Sequence, residues 1–447
     1  MNDNVIKIKR GLDIKINGLA RPEIEVYSPD YYAVKPVDFK WLVPKLLIEE
    51  GDKVDVGTPL FCSKSDAMLC AVSPVSGTVH SIERGEKRVL KHIVIKSDNK
   101  NNTIKLTKFN YNALKNDDIL LHLLKNGLWH FIIQRPFGCI ADYRIKPKSI
   151  FISCFDSHPL APDYNILMRD NWDNFRVGIE ILKKISDCDI HLSMHIDNDN
   201  TEFEKTEGVK FHYFTGPHPS GNVGTQINHI SPLNKGEIVW IVSPQNLSII
   251  GNFFRNGILN FEKVVALTGD CQGVDKYYKT IFGASFEDVL SDVADTSKRV
   301  ISGNVLTGKT IDSRCFISFY DNQLSVVAEG GQRHLLGWLS PGFDRWSSSH
   351  THLSRFIPDR KFSFTTSLNG SRRSMFLSEV YDNVFPMDIL PMELLKSCVT
   401  EDYDKMESLG IYEVVEEDFA LCEFVCPAKI ECQQIIFDAL TKLRSQL

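Results

Sequence analysis

The 447-residue chain has no apolar run approaching the roughly 18 to 20 residues needed to cross a bilayer. Its longest apolar runs, such as Ile238 to Val242, are strand length. The N-terminus, MNDNVIKIKRGLDIKING, alternates like a strand and lacks the apolar core of a secretory signal. The sequence therefore predicts no transmembrane segment, so that any membrane role must come through a partner. A block of Lys and Arg is also missing. The 51 basic residues are outnumbered by 57 acidic ones, for a formal charge of −6. Nucleic-acid binding needs a basic face to displace counterions, and this balance argues against it. The 11 cysteines, from Cys62 to Cys432, are odd in number and irregularly spaced. With no signal sequence, they are expected as reduced cytosolic thiols and not as a disulfide framework.

The chain is too long for one ordinary core and predicts about three or four compact units of multidomain α+β and α/β type. Residues 1–100 carry short apolar alternations separated by EGD, VG, VSPVSG and RGE, the texture of a small β barrel or sandwich. NKNNT at 99–103 is a polar break. Residues 101–260 alternate strands with helices, as in a Rossmann-like α/β domain with a mostly parallel sheet. Ser149 to Cys154, DIHLSMHI, VKFHYF, EIVWIVS and EKVVAL read as strands. Phe175, Ile179, Leu182 and Ile185 share a helical face, and Gly257 is placed to end a helix over Gln245 to Asn256. Residues 261–340 predict a small α+β, β-grasp-like module, with a helix carrying Phe286, Val289, Leu290 and Val293 and strands at 299–306 and 323–329. Residues 341–447 read as mainly helical. Pro427 suits a first helical turn, and Ile436, Leu440, Leu443 and Leu447 form an apolar stripe.

The Gly-rich segment Gly216 to Thr225, GPHPSGNVGT, follows a predicted strand, where phosphate loops sit. Gly216 and Gly221 have Walker A spacing, but Asn222 and Val223 stand where a P-loop needs Lys and Ser or Thr. Gly221 and Gly224 have the spacing of the last two dinucleotide-fingerprint glycines, but Pro219 replaces the first. Proline fixes φ and removes an amide that could face a pyrophosphate. The segment is either a tight connection serving strand-to-helix geometry or a ligand loop at the sheet's C-terminal edge. In the second case His218 is its expected titratable contact.

CEFVCP at 422–427 matches the end of a bacterial ferredoxin cluster motif through Cys422, Cys426 and Pro427. The two earlier cysteines would fall at Glu416 and Phe419, so two thiolates are missing. The pair reads as the remnant of an incomplete motif, and no bound metal is expected. Residues 48–61 and 72–79 resemble the turns of biotinyl and lipoyl carrier domains, which places a carrier-like barrel-sandwich hybrid at about 38–98. Lys64 is the lysine of the intervening CSKSDAMLCA. It lacks the Met-Lys-Met and Asp-Lys contexts of modified carriers, so no covalent cofactor is expected there. His191 and His195 lie on one strand face about 13 Å apart, too far to share one ion. His350 and His352 have no acidic neighbour in sequence. No Ser-His-Asp set can be singled out, so no catalytic residue is assigned.

The segments IKIKRGLD, RGEKRVLKHIVIK, GLWHFIIQRPF, HPLAPD, FTGPHPSGNVGT, RVISGNVLTG, FTTSLNGSRRSM, FPMDILP and EEDFALCEFVCPAK run nearly end to end. Together they resemble the A subunits of bacterial sodium-translocating NADH:quinone oxidoreductases. The resemblance implies a peripheral component on the cytoplasmic face of the inner membrane. Its partners would be the B to F subunits of the complex, above all the membrane-embedded B subunit. The resemblance also implies that NADH, flavins and iron centres belong to those partners and that this chain binds no cofactor of its own. Electrons reach quinone as sodium is exported, and the A subunits are associated with the quinone site. A quinone head needs a flat apolar slot and hydrogen-bond donors for its oxygens. In the Gly-rich loop the expected contacts are His218, Ser220, Gly221 and Gly224. The alternative readings are a flavin and iron–sulfur NADH dehydrogenase like the C subunit of the Rnf complex, and a stand-alone carrier modified on Lys64.

Overall fold

The computed structural model describes the chain except residues 1–4, 105–109, 272–273, 292, 294–296, 331–338, 349–350, 358, 376–378 and 447. The first two strands, β1 (Val5–Lys7) and β2 (Ile24–Val26), belong to sheets built further along the chain. The strand expected for the first eighteen residues is thus reduced to β1 within the described part. Only an edge pairing, supplied by a distant partner, holds it.

Residues 31–97 form the N-terminal module. One antiparallel sheet contains β3 (Tyr31–Val34), β5 (Lys53–Val54), β8 (Gly77–Arg84) and β9 (Leu90–Ser97) in the order β3-β9-β8-β5. A second has the order β4 (Pro44–Leu46), β6 (Pro59–Ser63), β7 (Cys70–Val72). Leu60, Phe61, Val75, Val79, Ile93 and Ile95 fill the space between. Each buries apolar surface worth about 2 kcal/mol.

The α/β domain follows. It contains β10 (Ile133–Arg135), β11 (Cys139–Ile140), β12 (Ser149–Ser153), β13 (Asp189–His195), β14 (Lys210–Thr215) and β15 (Val239–Ile241). The sheet order is β1-β14-β13-β12-β15-β10-β11, parallel from β1 to β15 and antiparallel beyond. The chain winds outward from β12 to β13 and β14, then returns to place β15 on the other side of β12. Ligands of open α/β sheets bind at such a reversal, beyond the carboxyl ends of the strands. Helix Trp172–Ser186 turns Phe175, Ile179 and Leu182 into the core, with Ile185 half-buried against it. It packs on helix Pro244–Asn256, which starts with Pro244 behind a Ser243 cap and ends where Gly257 takes φ 66°.

The fourth sheet has β16 (Glu262–Gly269), β17 (Lys276–Ile281), β18 (Lys298–Ser302), β19 (Lys309–Thr310) and β20 (Gln323–Ala328) in the order β19-β18-β20-β16-β17-β2. The helix expected around Phe286 is one turn, Glu287–Leu290. Phe286, Leu290 and Val293 are nevertheless buried against the N-terminal module.

At the C-terminus, Pro427 does not open a helix. Helix Ala420–Val425 ends at Cys426, whose ψ of 115° is the extended backbone that a following proline demands, and the next helix begins at Cys432. Ile436, Leu440 and Leu443 are buried on that last helix, while Leu447 lies outside the described residues. No helix among the described residues is long and apolar enough to cross a membrane.

Candidate functional site

The Gly-rich loop joins β14 to helix Val223–Ile230 at the carboxyl edge of the sheet. His218 and Ser220 are 1% and 0% exposed, so the loop is packed and not open. Four of its amides are already engaged. Ser220 and Asn222 donate to the carbonyls of Pro217 and Pro219, and the Gly221 N–H donates to Ser157 Oγ at 2.8 Å. The Ser220 and Gly221 amides expected for a quinone are therefore engaged within the protein. The His218 N–H donates to Asp13, and Leu12 N–H donates to the His218 carbonyl, so the N-terminal strap crosses the loop.

The His218 side chain has unforeseen company. The segment after β12 brings Asp156, Ser157 and His158 beside it. Ser157 Oγ lies 3.0 Å from His218 Nδ1, and the two imidazoles have centroids 4.5 Å apart. His158 Nδ1 sits 2.6 Å from the Asp156 carboxylate. Burial works against charge on His158, but Asp156 outweighs it and raises its pKa, while His158 in turn lowers that of Asp156. His218 is held well below the usual imidazole range by burial and by the charge of His158. The Nε2 atoms of both histidines are buried with no hydrogen-bond partner.

An acidic turn of the C-terminal domain closes the cluster from the far side. Arg135, at the end of β10, donates to Asp418 at 2.8 Å and to Glu417 at 2.5 Å. Burial raises the Glu417 pKa against the pull of Arg135. Asp418 also accepts the Val415 N–H at 2.8 Å. Gly224 is where this carboxylate reaches the helix start: a Cβ there would stand 2.2 Å from Asp418 Oδ1. A Cβ on Gly221 would meet the Ser157 amide nitrogen at 2.5 Å. The place beside a helix N-terminus that could receive an anion is thus approached by the protein's own carboxylate.

A second locus lies where the N-terminal module, the α/β domain and the fourth sheet meet. A partly open cavity of about 20 Å³, room for roughly one water, is lined by Phe39, Ala71, Val72, His130, Phe282 and Phe319, together with Lys35 and Asp38. Phe39 stands 5.0 Å from both His130 and Phe319, and Phe282 4.9 Å from Phe319. His130 is 1% exposed, and burial pushes its pKa down to about 4. Neither ring nitrogen has a partner at hydrogen-bond geometry; the Gly127 carbonyl lies only near enough to favour the proton. Lys263 sits over the Phe282 ring at 4.4 Å and donates to the Asp321 carbonyl at 2.5 Å, and burial lowers its pKa to about 7. The sequence offered His130 only within GLWHFIIQRPF and Lys263 only within the strand EKVVAL.

The remaining candidates are dispersed. Cys422, Cys426 and Cys432 are buried in one core, where the Tyr381 hydroxyl sits beside Cys432 and donates to Cys426 Sγ at 2.9 Å. Burial raises the Cys422 and Cys432 thiols, the latter to about 12. Among the described residues no three His, Cys, Asp or Glu side chains are grouped to hold a metal. His191 contacts His212 across β13 and β14 at 2.9 Å rather than His195. His352 is half-buried, and His350 lies outside the described residues. Lys64 is exposed just after β6. The expectation that all cysteines are free thiols is overturned for two of them. Cys62 and Cys70 form a disulfide, because β6 and β7 place them opposite each other with Cα atoms 3.9 Å apart.

Three family models match the chain. The N-terminal barrel-sandwich hybrid domain of NqrA covers residues 6–98, its second alpha/beta domain 114–259, and its C-terminal domain 264–313. The A subunit of the Na(+)-translocating NADH-quinone reductase of Rhodopirellula baltica is 35% identical over 452 residues, spanning 99% of each chain. Those of Neisseria meningitidis and Alcanivorax borkumensis are 34% and 35% identical, spanning 99% of this chain and 100% of their own. This chain belongs to the family of A subunits of the Na+-translocating NADH:quinone reductase.

Proposed function

We propose that the chain serves this complex without a flavin or iron–sulfur cluster of its own. It docks on the membrane-embedded B subunit at the cytoplasmic face and lends the aromatic cavity to the quinone site, while other subunits hold NADH, the flavins and the iron centres. On this reading the chain alone has no NADH:quinone activity, and the C-terminal cysteines descend from a ferredoxin-like segment. The observation that carries the quinone role is His130: an aromatic-walled cavity between three modules holds a neutral imidazole with no partner at hydrogen-bond geometry for either nitrogen, the Gly127 carbonyl being its polar neighbour. A quinone oxygen could accept from its N–H while the ring lies among Phe39, Phe282 and Phe319. The cavity holds about one water, so admitting a ring requires these side chains to part. The Nε2 of His218 favours a second reading, in which the ring docks at the Gly-rich loop.

The test is titration of the chain with a short-chain ubiquinone, followed by fluorescence of the neighbouring buried Trp129. His130→Phe breaks no existing side-chain hydrogen bond with good geometry and should leave the fold stable. It should weaken quinone binding about tenfold, the value of one hydrogen bond of about 1.4 kcal/mol. Equal affinity in a folded His130→Phe chain would remove this cavity from the quinone site.

A further inference from the structure

We propose that Cys62 and Cys70 are a redox-active pair, a disulfide opened by a low-molecular-weight thiol and closed by quinone, the electron acceptor of the complex. Ser63 N–H donates to the Leu69 carbonyl at 2.9 Å, the last ladder bond before the turn, while the Leu69 N–H goes to the Asp66 carbonyl. Cys62 and Cys70 are then the adjacent non-hydrogen-bonded pair, the position where facing side chains of antiparallel strands come closest. The strand pairing itself keeps the two sulfurs together, whatever their oxidation state. The other nine cysteines are not disulfide-bonded.

Access is one-sided. Cys62 is 7% exposed, whereas Cys70 is half-buried beside a loop whose Lys64, Ser65, Ala67 and Met68 are exposed. An incoming thiolate therefore attacks the Cys70 sulfur and expels Cys62. The reduced state has a ready acceptor, since the Ala67 carbonyl lies 3.1 Å from Cys70 Sγ. In closing, two S–H bonds break and one S–S bond forms. The two electrons and two protons pass to the quinone oxygens, giving hydroquinone. In opening, two small thiols become one disulfide and return two electrons and two protons to the cysteines. The hairpin thus stores two electrons in a chain whose sequence otherwise shows no means of carrying charge. From Cys70, β7 continues into Ala71 and Val72, which line the aromatic cavity, so the crosslink also ties down that wall. That coupling rests on the quinone reading of the cavity; the redox pair does not.

The test uses the full chain, reduced with dithiothreitol, desalted without oxygen and mixed with ubiquinone-1. Thiols are counted by maleimide mass tagging after denaturation. The expected result is a fall from all 11 cysteines free to 9, the 11 less the bonded two, with one hydroquinone formed per chain and the new bond mapped to Cys62 and Cys70. Cys70→Ser, at the more accessible position, should keep all its thiols and form no hydroquinone, and Cys62→Ser should match it. The proposal is overturned if the wild-type chain keeps 11 thiols, or if the lost thiols map to Cys422, Cys426 or Cys432. Quinone quenching of Trp129 in Cys70→Ser reports separately on the cavity, so the two readings can fail independently.

Discussion

Replacing Gly224 by Ala should loosen the C-terminal domain from the α/β domain. The new Cβ would stand 2.2 Å from Asp418 Oδ1 and 2.8 Å from its Cγ, so the carboxylate must retreat by about 1 Å to reach ordinary contact. It cannot do so freely, because Arg135 and the Val415 amide both hold Oδ2 at 2.8 Å. The Arg135 and Asp418 side chains are 3% and 1% exposed, so water cannot replace a lost partner. Breaking a buried pair costs about 3–5 kcal/mol. Glu417 remains on Arg135, which argues for the lower end, and Ala returns up to about 1 kcal/mol of helix propensity. The net loss should be about 2 kcal/mol. A chain of several domains is not two-state, so the assay is amide hydrogen exchange in helix Val223–Ile230 and the turn at 416–419, with urea unfolding as support. In an Asp418→Ala background the clash is gone and the helix gain remains, so the same substitution should be neutral or stabilising by up to about 1 kcal/mol, a coupling of about 2–3 kcal/mol. A Gly224→Ala chain within about 0.5 kcal/mol of wild type, or a cost unchanged by removing Asp418, would refute the steric argument.

The Asp156–His158 pair should leave a pH signature. A raised His158 pKa contributes stability that is fully present below the unfolded value of about 6.5 and fades as pH rises through the folded value. His158→Gln should therefore cost about 1–2 kcal/mol near pH 5.5 and progressively less above neutrality, measured by denaturation across pH; a cost that grows with pH would contradict the assignment. At the loop, His218→Ala in the assembled complex should raise the quinone KM severalfold if the second docking reading holds. Unchanged kinetics with assembly intact would confine His218 to packing.

Much of the local structure was legible because burial writes a period into the chain. β12 to β14, β16 and helix Pro244–Asn256 show as apolar runs or stripes with their caps beside them. The failure of both nucleotide fingerprints was equally legible, since it rests on the identities of Pro219, Asn222 and Val223. The one-turn helix at Glu287–Leu290 shows the limit. Its apolar spacing reflects burial against the N-terminal module, and burial does not require helical backbone to continue past Leu290.

Local sequence determined most element types, the departure of the Gly-rich loop from both nucleotide fingerprints and the family. Tertiary structure alone decided which groups meet. His158 joins His218 only because parallel strands bring the ends of β12 and β14 to one edge. Asp418 reaches Gly224 from about two hundred residues away because Arg135 draws it in. Cys62 faces Cys70 through a strand register that sequence spacing leaves open. Periodicity reports how a segment meets its surroundings, whereas a site depends on distances between segments, and those are set when the separate layers pack.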